Sequence, residues 1–387
     1  MIRMYYYTST DTMCKILQNG NLFATNIKYM NDAQEYINGL SEIKEVCSNQ
    51  LLFKSVYKDG CSESEITRFF ELIPEHMTEE NLKKYMEDDS RYSISFCQDK
   101  DLLSQWTTYA RESGVSIAMA FEPDKDMNFW FFDSDSKSGK RTINYKAHPE
   151  KILYLTKGKN GNHYTDTAKQ VLLRMFPQGL KTEDISSKLL QNWKDNSVYI
   201  KQYDFYQEQE YRIAFNLAVM DQNGKNPRID YRVDKHVIKP YLDVKCENGW
   251  PVISIMVGPG FNQQIVYRSV KFFLDHSKIE SSMLCTQKQW AEQILNYIKL
   301  AFPSKRKMPG DWEEDFIHFS NYLKQMADGH DSANIADEER YSLYEKVNNL
   351  TYRYLNTTED LSDKNYSKPY FSKNGIILEC SQIPYIY

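Results

Sequence analysis

The chain has 387 residues, a net charge of −5 at pH 7, 41% hydrophobic residues and 26% charged residues. This balance excludes a disordered chain, and the acidic total gives no general electrostatic reason to expect a polyanion as partner. The length predicts one large domain with a substantial insertion.

Cysteines, histidines and apolar runs indicate the expected compartment. Seven Cys are scattered without a CxxC pair, which argues against a disulfide framework and fits a reducing environment. No segment approaches the roughly 18 apolar residues of a membrane span, and the N-terminus has no signal-type apolar stretch. The seven His form no HExxH or HxH pair. We therefore expect a cytoplasmic protein with no metal and no membrane partner.

The N-terminal part alternates between strand and helix patterns. Residues 4–9 have the pattern of an aromatic-rich strand, and Thr10 with Asp11 caps a helix that ends at Gly20. The later patterns predict a strand at 22–25, a helix-opening turn at 30–36, helical stretches at 36–57 and 62–87, a strand at 92–97, a helix around 103–110 and a strand at 115–121.

Strand patterns dominate the middle of the chain, and helical patterns follow it. We predict helices at 164–195 and after Gly260, and strands at 144–145, 152–155, 209–217, 231–233, 238–242 and 253–257. Helix-period spacing recurs before a last strand at 375–380, in the segments 286–302, 311–328 and 337–356. This organisation predicts an α+β domain at 1–279 plus 373–387, with a helical insertion at 280–372.

The opening strand is the first candidate site. Alternation along a strand puts Tyr6 and Thr8 on one face and Tyr5 and Tyr7 on the other. If one face packs inward, the other presents a tyrosine ring and hydroxyl to a ligand. The alternative is that all three rings pack in the core.

The second candidate site combines the strand at 92–97 with the helix that follows it. The hydroxyls of Ser93 and Ser95 can donate hydrogen bonds to a ribose or a phosphate. Trp106 and Tyr109 would form an aromatic wall beside them. Their i, i+3 spacing is also typical of core packing, which we favour for Trp106.

Charged residues at the start of the strand at 209–217 form the third candidate site. If the strand begins early enough, Glu208, Glu210 and Arg212 line one face. A carboxylate there can bind ribose hydroxyls and stabilise the positive charge that develops when a glycosidic bond breaks. The alternative is that Arg212 simply pairs with one of the glutamates.

Together these motifs resemble the DUF2971 family, over about residues 1–278 and 375–385. That family opens with a similar aromatic-His-Tyr-Thr-Ser stretch and an Asn-Asp-x-x-Glu turn. The segments that carry the resemblance are 5–9, 17–22, 30–35, 93–96 with Trp106, Tyr109 and Gly114 after them, 206–212, 258–259 and 381–385.

The order of the motifs is also similar to that of ADP-ribosyltransferase folds, which place a His/Arg/Tyr strand, a Ser/Tyr strand and a Glu strand around NAD. This resemblance implies a mixed or antiparallel split sheet with flanking helices, and NAD as substrate. It implies catalytic roles for Glu210 or Glu208 and for Tyr6, which stands where many such enzymes carry His. The NAD contacts that it implies are Tyr6, Thr8, Ser9, Asn31, Asp32, Ser93, Ser95, Trp106, Tyr109 and Arg212.

The expected function is therefore NAD consumption, either ADP-ribosyl transfer to an unknown protein or nucleic acid, or NAD hydrolysis. The resemblance implies an antiviral defence or toxin effector. A different hypothesis is a non-catalytic module that senses a nucleotide, or a protein partner through the 280–372 insertion. A nuclease-like hydrolase is disfavoured because the sequence lacks metal-ligand spacing.

Overall fold

The computed structural model describes most of the chain before residue 280 and a few segments after it. The described residues are 2–30, 35–57, 61–87, 90–111, 114–122, 125–134, 141–155, 165–176, 191–220, 226–234, 236–279, 321, 370–372 and 376–383. The chain divides into two compact units, the first formed by 1–21, 96–123 and 245–387 and the second by 22–95 and 124–244. Each unit is thus assembled from separate stretches of the chain.

The first unit is a mixed sheet with helices. Its strands lie in the order β14, β15, β13, β4, β1, and all neighbours are antiparallel except β13 and β15, which are parallel. The elements are β1 (Ile2–Thr8), α1 (Thr10–Asn19), α6 (Leu103–Tyr109), β4 (Val115–Phe121), β13 (Val252–Val257), α10 (Gln263–His276), β14 (Tyr370–Phe371) and β15 (Ile377–Cys380).

The turn from β1 into α1 follows directly from local chemistry. Ser9 is the N-cap of α1, and its side-chain oxygen accepts a hydrogen bond from the Thr12 backbone N–H. Gly20 ends the helix with φ 72°, a left-handed conformation that glycine adopts without a Cβ clash. The predicted helix is confirmed, with the cap one residue earlier than the Thr10–Asp11 cap expected from the sequence.

The second unit combines a larger set of strands with a helical layer. Its strands and helices are β2 (Asn21–Asn26), α2 (Glu35–Cys47), α3 (Gln50–Tyr57), α4 (Glu63–His76), α5 (Glu79–Glu87), β3 (Arg91–Cys97), β5 (Met127–Phe132), β6 (Arg141–Ala147), β7 (Glu150–Lys151), β8 (Leu153–Leu155), α7 (Thr165–Met175), α8 (191–197), β9 (Ile200–Gln202), β10 (Glu210–Asn216), α9 (Leu217–Met220), β11 (Ile229–Asp234) and β12 (Val237–Cys246).

Two sheets lie in this second unit. The larger follows the order β3, β2, β12, β5, β6, with β10 beside β3 and β7, and β11 beside β12. The smaller consists of the parallel pair β8 and β9. Two 3-10 helices, Ile27–Tyr29 and Tyr203–Glu208, complete the unit.

An apolar core joins the helices of the second unit to the β8–β9 sheet. The rings of Phe53 and Phe69 stack at 4.2 Å between centroids. Trp193 is buried and donates its indole N–H to the Leu40 carbonyl at 2.8 Å. The Tyr57 hydroxyl donates to the Leu172 carbonyl at 2.7 Å, so both polar ring groups have partners.

Sequence patterns located the strands better than they located the helix breaks. The predicted helices at 36–57 and 62–87 are each divided in two, because Asn49 and Thr78 accept hydrogen bonds from backbone N–H groups and start new helices. Strand β5 lies in a region for which the sequence predicted none. In the predicted insertion at 280–372, the described residues are 321 and 370–372, so the three predicted helices lie outside the described residues except for residue 321, which is helical.

Gly258 packs closely against the ring of Trp106 in the first unit. A Cβ added to Gly258 would lie 2.6 Å from Trp106 Cε3, closer than any relaxed carbon contact. Trp106 is buried, and its ring lies 4.7 Å from that of Tyr7 in an edge-to-face arrangement. Only a residue without a side chain therefore fits at position 258.

We predict that Gly258→Ala lowers the free energy of unfolding by about 1–3 kcal/mol, because the new methyl group overpacks the site. In a Trp106→Leu background the same substitution should cost clearly less, since the ring that it meets is gone. Urea unfolding of the four proteins measures both costs. Equal costs in the two backgrounds would contradict this packing account.

Candidate functional site

The best-defined polar site of the second unit lies between β9 and β10. β9 continues into the 3-10 helix Tyr203–Glu208, Gln209 reverses the chain in a left-handed conformation (φ 43°), and β10 begins at Glu210. Left-handed backbone at a residue other than glycine is costly and is often found at functional positions. Glu208 is therefore not on the strand, contrary to the predicted row of Glu208, Glu210 and Arg212 along one face.

A buried ion-pair set connects the two strands, and we call its members, Lys201, Glu208, Glu210 and Arg212, the carboxylate cluster. The Arg212 guanidinium grips Glu210 with two hydrogen bonds, from Nε at 2.5 Å and from Nη2 at 3.0 Å. The Lys201 ammonium lies 2.6 Å from the second carboxylate oxygen of Glu210. All three side chains are buried. Glu210 is thus a bidentate ion-pair partner of one arginine, which is the structural alternative stated for Arg212.

Glu208 is the more accessible carboxylate of the cluster. Lys201 Nζ donates to Glu208 Oε2 at 2.8 Å, and the Glu208 side chain retains 23% exposure. One ammonium therefore holds both glutamates in place. Two carboxylates stand beside two cations, so the formal charges of these four side chains cancel.

Charges in the cluster dominate the acidity of Glu210. Burial by itself raises the pKa of Glu210, but the positive charges and hydrogen bonds of Arg212 and Lys201 outweigh it and lower the pKa to about 2. A carboxylate with so low a pKa is a poor proton donor or acceptor near neutral pH. Glu210 is therefore suited to holding Arg212 and Lys201 in position rather than to proton transfer.

The 3-10 helix that ends at Glu208 also carries two exposed tyrosines. Tyr203 and Tyr206, which we call the tyrosine pair, stack at 5.0 Å between ring centroids and are 47% and 46% exposed. Tyr154 meets Tyr206 edge to face at 5.5 Å, and its hydroxyl oxygen accepts a hydrogen bond from the Glu210 backbone N–H at 2.8 Å. Burial raises the pKa of Tyr154, so its hydroxyl stays protonated. The tyrosine pair offers a flat, exposed surface next to Glu208.

Strand β3, which carries Ser93 and Ser95, pairs with β10 in the same sheet. Ser93 is buried and its hydroxyl contacts the sulfur of Met30 at 3.4 Å. The Ser95 hydroxyl oxygen is buried with no hydrogen-bond partner among the described residues. The two serines thus lie on a strand next to Glu210, while the ribose or phosphate contact expected of them stays a prediction.

Trp106 and Tyr109 lie in the first unit and differ in exposure. The Trp106 indole N–H donates to the Asp101 carboxylate at 2.7 Å. The same carboxylate accepts hydrogen bonds from the Ser381 hydroxyl at 2.6 Å and the Gln382 backbone N–H at 2.9 Å. Trp106 therefore packs in the core, the alternative favoured from its spacing, whereas Tyr109 is exposed.

The opening strand β1 is buried to different degrees along its length. Tyr7 is buried, its hydroxyl donating to the Asp99 carbonyl at 2.9 Å and accepting from the Leu102 N–H at 3.1 Å. Tyr6 is half-buried, with its ring centroid 6.0 Å from that of Phe96. Thr8 is buried, and Ser9 is taken up by the cap of α1. Tyr6 thus lies in the first unit and the carboxylate cluster in the second.

Two of the predicted site residues lie outside the described part of the chain, and several residues of the site were not predicted from the sequence. Asn31 and Asp32 are outside the described residues. Lys201 and the tyrosine pair were not predicted as site residues, although a lysine directly after the apolar residues 198–200 and shortly before the aromatic-rich segment 203–206 is a signal that could have marked the site. Among the described residues, no group of three or more His, Cys, Asp or Glu side chains is arranged to hold a metal ion, and no helix is long and apolar enough to span a membrane.

We predict that Glu210 makes the stability of the protein sensitive to acid. Because its folded pKa lies below the ordinary value of 4.5, the ion pairs contribute fully above that pH and their contribution is lost as pH falls toward 2. Glu210→Gln should cost about 3–5 kcal/mol at neutral pH, because it removes the buried carboxylate that Arg212 and Lys201 both bind. It should also flatten the loss of stability in acid.

Urea unfolding measured from about pH 6 to about pH 3 follows this change directly. Glu80→Gln on exposed α5 is the matched control and should keep the wild-type pH dependence. An unchanged acid slope in Glu210→Gln would contradict the assigned role of Glu210.

One comparison with known proteins bears on these residues. Residues 105–213 match the model of the family described as "Protein of unknown function (DUF2971)". No curated protein and no solved structure matches the chain. The family match supports the DUF2971 resemblance for the segment that carries Trp106, Glu208, Glu210 and Arg212.

Proposed function

We propose that this protein consumes NAD, transferring ADP-ribose to a macromolecule or to water, and that Glu208 is the carboxylate that acts on the nicotinamide ribose. The observation that carries the proposal is the position of Glu208. Its partly exposed carboxylate is held at 2.8 Å by a buried ammonium, and it ends the 3-10 helix that carries the tyrosine pair. A fixed anion beside a stacking surface suits a cationic, planar ligand.

The proposed reaction breaks the bond between the nicotinamide nitrogen and the ribose carbon. Both bonding electrons go to the nitrogen, so nicotinamide leaves as a neutral molecule and positive charge develops on the ribose. Water or an acceptor oxygen or nitrogen then bonds to that carbon and releases a proton to solvent. Glu208 would hydrogen-bond the ribose hydroxyls and stabilise the positive charge without itself transferring a proton.

Glu210 has a positioning role in this proposal. It fixes the ammonium of Lys201, and Lys201 in turn fixes the carboxylate of Glu208. This division of roles changes the expectation from the resemblance to ADP-ribosyltransferases, in which Glu210 was the first choice for the catalytic glutamate. Substrate contact by Glu210 would first require its two hydrogen bonds to Arg212 to break.

A second candidate is a non-catalytic module that binds a nucleotide and does not cleave it. The specific observation in its favour is that Lys201 already neutralises both glutamates, at 2.6 Å and 2.8 Å. A neutralised carboxylate stabilises a developing positive charge less than an unpaired one does. The tyrosine pair would stack on a base equally well in either candidate.

The test of catalysis is nicotinamide release from NAD by the purified protein. We expect release by the wild type and a loss of at least about 100-fold in rate for Glu208→Gln, because the stabilising anion is removed. Glu80→Gln removes one exposed carboxylate elsewhere and should leave the rate unchanged. Absence of nicotinamide release, and of labelled ADP-ribose on any lysate component, would contradict the enzyme proposal.

The test of binding is separate and uses the tyrosine pair. Removing one stacking ring with Tyr206→Ala should weaken NAD binding about 10-fold, because stacking on a base contributes about 1–3 kcal/mol. Tyr206→Phe keeps the ring and should bind as the wild type does. Calorimetric titration with NAD measures both. Binding without nicotinamide release would favour the non-catalytic candidate, and equal binding by Tyr206→Ala would exclude this surface.

A further inference from the structure

Strand β11 lies at an edge of its sheet. Its six residues pair antiparallel with the first half of β12, from Ile229 opposite Leu242 to Asp234 opposite Val237. Among the strands that the structure describes, β12 is its one neighbour. Edge strands offer unpaired backbone groups to other strands, and proteins limit such pairing with charged side chains, proline or a bulge. β11 contains no Pro and its register is regular, but three of its six residues are charged.

A proline on β12 identifies which backbone groups of β11 face outward. Tyr231 lies opposite Pro240, which has no N–H to donate. This is therefore a pair without backbone hydrogen bonds between its members, and the N–H and C=O of Tyr231 point away from β12. By the alternation of an antiparallel ladder, the same holds for Ile229 and Val233. Three residues thus present their backbone groups at the outer edge.

The side chains of these same residues are exposed apolar groups. Tyr231 is 67% exposed and Val233 is 74% exposed. Ile238, opposite Val233 on β12, is 61% exposed and extends the apolar surface across the hairpin. An apolar surface that adjoins a strand edge is typical of an interface.

Charges along the strand show what would fit this edge. The sequence from 228 to 234 reads Arg-Ile-Asp-Tyr-Arg-Val-Asp. Each charged residue before Tyr231 therefore has a residue of opposite charge at the same distance after Tyr231. We propose that β11 pairs with β11 of a second copy of this chain, antiparallel and about a two-fold axis at Tyr231. Arg228 then lies opposite Asp234 of the second copy, and Asp230 lies opposite Arg232 of the second copy.

The two registers shifted by two residues are disfavoured by the same charges. A shift of two residues keeps the outward backbone groups in place, because side chains and hydrogen bonds alternate with period two. One such shift puts Arg232 opposite itself and Asp230 opposite Asp234. The other puts Asp230 opposite itself and Arg228 opposite Arg232. Like charges directly opposite one another destabilise a strand pair, so the charge pattern favours the register centred on Tyr231 over both of these neighbours. Shifts of four residues would leave fewer of the outward backbone groups paired.

Existing contacts within the chain leave this pairing possible. Arg228 bonds Asp230 at 2.9 Å, Lys239 bonds Asp234 at 2.7 Å, and Arg232 donates to the Thr25 hydroxyl at 2.9 Å. These contacts hold the charged side chains extended on one face, and each carboxylate has several acceptor positions. The two-fold pairing adds about six backbone hydrogen bonds and joins two apolar faces.

Charge-swap variants test the proposal. We expect the wild type to have twice the 45.7 kDa mass of one chain in light scattering and in sedimentation. Asp230→Arg or Arg232→Asp puts two pairs of like charges into the homodimer, so each should raise the dissociation constant at least about 10-fold. The double variant restores opposite charges and should dimerise again. An equimolar mixture of the two single variants should form a heterodimer.

Controls separate the interface from folding. Lys83→Asp makes the same charge change as Arg232→Asp on exposed α5 and should remain dimeric. Circular dichroism of the single variants should match that of the wild type, and formation of the mixed heterodimer shows that both are folded. A monomeric wild type would overturn the proposal. So would single variants that dimerise as well as the wild type, or a double variant that fails to recover.

Discussion

A single ammonium group holds the polar site of the second unit together. Lys201 lies in β9 at 2.6 Å from Glu210 and 2.8 Å from Glu208, so one side chain ties the start of β10 to the end of the preceding 3-10 helix. With Arg212 bound to Glu210, the buried charges cancel, which is the condition under which such charges persist in a protein interior. The left-handed turn at Gln209 lies between the two glutamates that this ammonium binds, and the exposed tyrosine pair lies on the 3-10 helix before that turn.

The carboxylate cluster places Glu208 and Glu210 in different environments, although the sequence motif predicts the same strand face for both. Glu208 and Glu210 are two residues apart, and strand alternation would place them on the same face. The left-handed Gln209 instead ends a 3-10 helix before the strand begins, so Glu210 is buried between two cations while Glu208 stays accessible. In the function that we propose, Glu210 therefore has the positioning role, and Glu208 is the carboxylate that meets the ligand.

Much of the fold follows from local patterns, and much of the site does not. The period-two patterns around Ile94, Ile117 and Ile255 and the cap and glycine around α1 predicted elements that the structure contains. The breaks at Asn49 and Thr78 were missed because each cap interrupts a longer run of helix-period spacing. Lys201 was missed because its partners lie seven and nine residues away across a turn that no pattern signals. The i, i+3 spacing of Trp106 and Tyr109 favoured core packing for Trp106, and Gly258 and Asp101 both lie against its ring in the structure.

We propose that Glu208, beside the tyrosine pair, meets the nicotinamide ribose of NAD. The most direct measurement is a crystal structure of the Glu208→Gln variant with NAD, since that change keeps the shape of the side chain while slowing cleavage. The account predicts a ribose hydroxyl about 3 Å from the residue-208 side chain and a ring stacked on Tyr203 or Tyr206. NAD bound away from these residues would contradict it.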